Sequence, residues 1–101
     1  MHQHLLRYVP YLPLSHVEDH TTLSALCQLD GPRTKLTIYQ QTLRMDARRW
    51  RGVRSVAGCM SRLSESGFVI PDNAGQWSPN EIIIVEYADR YVDPELLPIL
   101  F

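Results

Sequence analysis

The stretch Arg51 to Ile70, RGVRSVAGCMSRLSESGFVI, constrains this chain more than any other. Val53, Val56, Met60 and Leu63 recur at three- and four-residue spacing, which predicts one apolar stripe along a helix. Gly67 closes it at a position where helices commonly end in a left-handed residue. Phe68-Val69-Ile70 follows at once, aromatic and β-branched, and reads as a strand leaving the helix end. At about 100° per residue, Arg48, Arg51, Ser55, Gly58 and Arg62 fall on the face opposite the stripe. An apolar back with a basic, small-residue front suits a helix that enters a DNA major groove. Many α/β folds also contain an amphipathic helix followed by Gly and a strand, so charge has to weigh in.

The net charge of −1 conceals a strong segregation. Residues 1–30 carry Arg7 against Glu18, Asp19 and Asp30. Residues 31–63 carry Arg33, Lys35, Arg44, Arg48, Arg49, Arg51, Arg54 and Arg62 against Asp46 alone, a local charge of +7. Residues 64–101 carry Arg90 against seven acids, from Glu65 to Glu95. A basic segment of this kind attracts polyanions and gains from counterion release. Arg predominates over Lys in it, and the guanidinium fork matches phosphates and guanine edges. Arg51, Ser55 and Arg62 are therefore the candidate readers, with Gly58 on the same face allowing close backbone approach to the DNA. Arg33, Lys35, Arg44, Arg48, Arg49 and Arg54 are candidate phosphate clamps, because loops and helix flanks usually position rather than specify.

A chain of 101 residues supports one domain with a modest core. Residues 1–14 read as an extended arm, since Pro10 and Pro13 exclude an α-helix across VPYLPL; Leu5, Leu6, Tyr8, Val9, Tyr11 and Leu12 pack on the domain or on a partner. Ser15 to Leu29 reads as a helix capped by Ser15 or by Asp19, and Asp30-Gly31-Pro32 ends it. A second short helix, TIYQQTLRM, starts with Thr37 as its cap. The third helix begins near Ala47 or near Arg51, the latter preferred because an earlier start brings Arg49 close to the apolar stripe. A hairpin follows, turning at Asp72-Asn73-Ala74-Gly75, with Pro79 breaking its second arm and Glu81–Tyr87 (EIIIVEY) forming a strand buried on both faces. The domain closes near residue 92, and residues 93–101 form an apolar tail ending in LLPILF, preceded by a short helix start at Asp93-Pro94-Glu95.

This order of elements, with Val56, Met60, Leu63, Gly67, Phe68 and Trp77 at the matching places, resembles the winged helix-turn-helix superfamily of DNA-binding domains. The resemblance runs over roughly residues 20–87 and is tightest from Val53 to Phe68. It implies an α+β fold, a three-helix core with a small antiparallel β-hairpin, and no cofactor. It also implies duplex DNA as partner and a role as a transcriptional regulator, or in replication or plasmid maintenance. The sequence departs from that pattern in two places. The connection MDARRWRG is longer than the usual tight turn and puts Trp50 where a small residue is normal; the hairpin tip carries Asp72 and no Lys or Arg. The acidic wing, lacking cations, and the apolar ends favour an alternative on the same fold, a protein–protein adaptor, which the Arg cluster opposes.

Signals for catalysis are lacking. There is no P-loop, no G-x-G-x-x-G, no G-x-S-x-G and no H-E-x-x-H, so the chain reads as a binder and not an enzyme. His16 and His20 are four apart, the spacing of a two-imidazole metal site, but no second paired motif completes it; surface histidines are the simpler reading. Cys27 and Cys59 fit no metal or redox spacing and read as buried thiols. No run approaches the ~20 apolar residues of a membrane span, and no secretory signal is evident, so the expected location is cytoplasmic. Apolar residues at both ends predict a homodimer, with folding of the tail onto its own domain as the other solution.

Overall fold

A computed structural model of the chain describes residues 2–46 and 52–91. The candidate residues Arg48, Arg49 and Arg51, together with Trp50 and the tail 93–101, lie outside the described residues. Among the described residues the architecture is α+β: four α-helices and a two-stranded antiparallel sheet.

α1 runs Val17–Gln28 and is the central element. Asp19, Thr22, Leu23, Ala25, Leu26 and Cys27 are all buried, because α2, α3, β2 and the N-terminal segment pack around this one helix. Its N-cap is His16, with no side-chain cap bond, so neither Ser15 nor Asp19 caps it. Asp19 lies inside the helix and serves another purpose. At the other end Arg33 reaches back, and its Nη2 donates to the Leu29 carbonyl at 2.7 Å, satisfying one of the groups a helix end leaves open.

α2 spans Lys35–Met45. Its cap is Thr34 rather than the expected Thr37, and the two threonines act reciprocally. Thr37 donates its N–H to Thr34 Oγ1 at 3.2 Å, while Thr34 donates its N–H to Thr37 Oγ1 at 2.9 Å. Ile38 and Thr42 face the core; Leu36 and Met45 remain exposed.

α3 spans Val53–Glu65, starting two residues after Arg51 at the N-cap Gly52. Val56, Met60 and Leu63 are fully buried, as their spacing predicts. Gly67 adopts φ +83°; its N–H donates to the Ser64 carbonyl, and the Phe68 N–H donates to the Leu63 carbonyl. This double closure is the Schellman arrangement, with Leu63 and Phe68 both in the core beneath it.

β1 (Val69–Pro71) and β2 (Trp77–Pro79) pair antiparallel with Val69 opposite Pro79. Asp72 shapes the tip, its Oδ1 accepting from the N–H groups of Ala74 (2.8 Å) and Gln76 (2.9 Å). On its other edge β2 is tied to the connection between α1 and α2: Trp77 donates its N–H to the Arg33 carbonyl at 2.9 Å.

Beyond the caps, two larger expectations fail. Glu81–Tyr91 is a helix, α4, not a strand. Asn80 begins it, accepting on its carbonyl from the Ile84 N–H and on its side chain from the Ile83 N–H. Ile84 and Ala88, four apart, are buried, whereas Ile82 is 76% exposed; a strand would put Ile82 and Ile84 on one face. The N-terminal residues are not extended either. They form two 3-10 turns, Gln3–Arg7 and Val9–Tyr11, a tighter geometry that admits Pro10 at a first-turn position. Leu5, Val9 and Leu12 are buried against their own domain, with Leu6 and Tyr8 half-buried beside them; Tyr11 stays exposed. α4 rests on this segment, and His4 meets Glu81 at 2.6 Å.

Candidate nucleic-acid interface

The candidate interface lies on α3. Its buried edge comprises Val56, Cys59, Met60 and Leu63, so Cys59 extends the stripe toward α1. That extension rotates the outward face. Arg54, Ser61 and Glu65 are the exposed residues opposite the buried edge. Ser55, Gly58 and Arg62 are half-buried. A Cβ added at Gly58 would meet only Arg62 Nη1, at 3.7 Å, so no neighbouring element of the fold forces glycine there.

Arg62 is the residue whose surroundings differ most from the expectation. Its Nε donates to Asp19 Oδ2 at 2.9 Å and Oδ1 at 3.2 Å, and its Nη2 donates to Oδ1 at 2.8 Å. Asp19 is 2% exposed, on α1. Burial pushes the Asp19 carboxyl up. The hydrogen bonds from Arg62 and Cys59 and the charges of Arg62 and His16 act the other way, and the net is a carboxyl held below its ordinary value. Arg62 in turn is raised by the same hydrogen bonding. The Cys59 thiol sits 3.5 Å from Arg62 Nη2, and burial pushes it up to about 11. The Cys27 thiol, deeper still, rises to about 12. Neither thiol is poised to ionise near neutrality.

The expected phosphate clamps among the described residues fall into two groups. Lys35, Arg44 and Arg54 are exposed: Lys35 opens α2, Arg44 stands in its last turn beside Gln41, and Arg54 is in the first turn of α3. Arg33 is half-buried and engaged, its side chain on the end of α1 and its backbone on β2 and Gln76. An open groove lined by Lys35, Leu36, Pro71 and Trp77 separates the start of α2 from the hairpin. The hairpin tip adds no cation, and the Asp72 carboxylate is spent on its own turn.

No group of three or more metal-ligating side chains occurs among the described residues. His20 Nε2 lies 3.1 Å from the Leu12 carbonyl, whereas His16 meets Ser15 and Asp19, so the two imidazoles have different partners. Among the described residues no helix is long and apolar enough to cross a membrane. The chain matches no family model, no curated protein and no solved structure.

Proposed function

We propose that this chain binds duplex DNA through α3, on a winged helix-turn-helix plan, and acts as a transcriptional regulator. The observation that carries the reading is the outward face of α3. Arg54 and Ser61 stand exposed with small Ala57 and Gly58 between them, in a segment of local charge +7. A long cation followed by small residues lets a helix approach base edges closely while its N-terminal turns do the reading. Lys35 and Arg44 on α2 supply phosphate contacts, which set register and orientation without carrying sequence information. The layout is also in keeping with the resemblance. Three helices pack on one another, and a hairpin follows whose second strand is tied to the connection before α2.

The test is fluorescence anisotropy with a labelled duplex of mixed sequence at two salt concentrations, followed by selection of bound fragments from a random duplex pool. Binding that weakens with salt, and a selected consensus, are the expected results. A chain that binds no duplex at low salt refutes the proposal.

A protein–protein adaptor on the same fold is the second reading. It is favoured by exposed apolar side chains at Leu36, Ile70 and Ile82 and by the cation-free hairpin tip. Failure to bind DNA together with capture of a defined protein partner would favour it. The proposed homodimer rests on the tail, because Leu5, Val9 and Leu12 are buried in their own domain.

A further inference from the structure

We infer that Asp19 is a positioning residue that holds Arg62 out of the DNA interface, leaving Arg54 and Ser61 as the α3 side chains that reach the groove; this rests on the DNA reading above. Arg62 belongs to the reading helix, and by type and position it would be a base or phosphate contact. Three features withdraw it. The Nε–Nη2 edge of its guanidinium, one of the edges that can grip a guanine bidentately, is occupied by both oxygens of Asp19. Its charge is balanced within the fold by Asp19, so it neutralises no phosphate and releases no counterion from the DNA. Releasing it strands the carboxylate of a residue only 2% exposed, which opposes any swing toward DNA.

The same pair fixes which way α3 faces. Asp19 sits on α1, the helix against which α3 packs, and the bidentate grip ties the α1-facing flank of α3 to it. With that flank tied, the strip from Arg54 to Ser61 faces outward. The groups around the pair are His16, whose Nδ1 lies 3.8 Å from Asp19 Oδ2, and the Cys59 thiol, 3.5 Å from Arg62 Nη2.

The experiment is the salt dependence of anisotropy with a labelled mixed-sequence duplex, for the full chain and three variants, each checked for folding by circular dichroism. Arg54→Gln should flatten the log–log slope by about 0.9, the value of one phosphate contact. Asp19→Asn keeps the shape but frees the Arg62 charge. Its slope should steepen by about 0.9, an extra loss of roughly 3.5-fold in affinity between about 50 and 200 mM salt. The double variant Asp19→Asn/Arg62→Gln carries a neutral amide pair that leaves no stranded charge, and should keep the wild-type slope. A merely structural pair would leave the Asp19→Asn slope at the wild-type value, and that result overturns the inference. So does a double variant whose slope drops as far as that of Arg54→Gln, since Arg62 would then be a contact in the wild type. A wild-type chain that binds no duplex fails at the earlier step and overturns the DNA reading itself.

Discussion

Replacing Arg62 with Ala removes the counter-charge of a carboxylate that the fold has taken out of water. The wild-type side chain makes N–H···O contacts of 2.8, 2.9 and 3.2 Å to Asp19. Removing one partner of a buried pair typically costs about 3–5 kcal/mol. The Arg62 side chain is 40% exposed, so water screens part of the attraction and would solvate part of the vacated site. A loss of about 2–3 kcal/mol is therefore expected, a substantial share of the roughly 5–15 kcal/mol that holds a domain of this kind together. Guanidinium unfolding followed by circular dichroism at pH 7 measures it as a lowered midpoint. Replacing both residues by Leu should recover most of the loss, because the cost of desolvating the pair disappears with it. The pH dependence carries a second signature. Asp19 has a depressed value in the folded wild type, so its contribution is fully present above the unfolded carboxyl value and is lost as pH falls through the folded one. In Arg62→Ala burial is left to dominate and the Asp19 value rises, so the Asp19 contribution reverses and stability gains as pH falls. An Arg62→Ala protein within about 0.5 kcal/mol of wild type at pH 7 would refute the assignment of the pair as an element of the fold.

Three further outcomes follow from particular residues. Gly67→Ala puts a Cβ on a residue at φ +83° and should cost about 1–2 kcal/mol, read by the same unfolding assay; an unchanged midpoint contradicts the left-handed closure. Ile84→Ala should cost about 2–4 kcal/mol whereas Ile82→Ala should stay within about 0.5 kcal/mol, and equal losses would favour a strand over α4. Sedimentation equilibrium should give a dimer for the full chain and a monomer after removal of residues 94–101; a full-length monomer at high micromolar concentration refutes the tail as a dimer contact.

The legible part of the fold is the part where two independent signals agree. Around α3 the apolar spacing, the glycine and the following β-branched residues all mark the same boundary, and Val56, Met60, Leu63 and Gly67 take their expected places. EIIIVEY offers only one signal, and that one is ambiguous: a continuous β-branched run fits a strand buried on both faces or one turn after another of a half-buried helix. Tertiary packing decides it. Asn80 provides the start, and the i, i+4 pair Ile84 and Ala88 provides the buried edge, while Tyr87 meets Phe68 edge-on with ring centroids 5.8 Å apart. The N-terminal prolines exclude an α-helix but are silent on the 3-10 alternative, whose short second turn admits Pro10 at a first-turn position where its missing N–H is not needed.

The site was less legible because charge on a helix face is ambiguous until its partner is known. Arg62 and Asp19 are 43 positions apart and lie in segments of opposite net charge, so sorting the charges by segment separates the two residues that the fold joins. A signal was nonetheless present in α1. Asp19 lies at helical spacing from Thr22, Leu23 and Leu26, positions that share one face. A carboxylate on the buried face of a helix demands a cation with several donors, since an unpaired charge is too costly to bury. An Arg on a neighbouring element is the residue best shaped to meet that demand, and Arg62 does so. The consequence for function is that the arginines of this chain do not form one uniform basic surface. Arg62 and Arg33 are engaged in holding helices in place, whereas Lys35, Arg44 and Arg54 of the same basic segment are set out toward solvent.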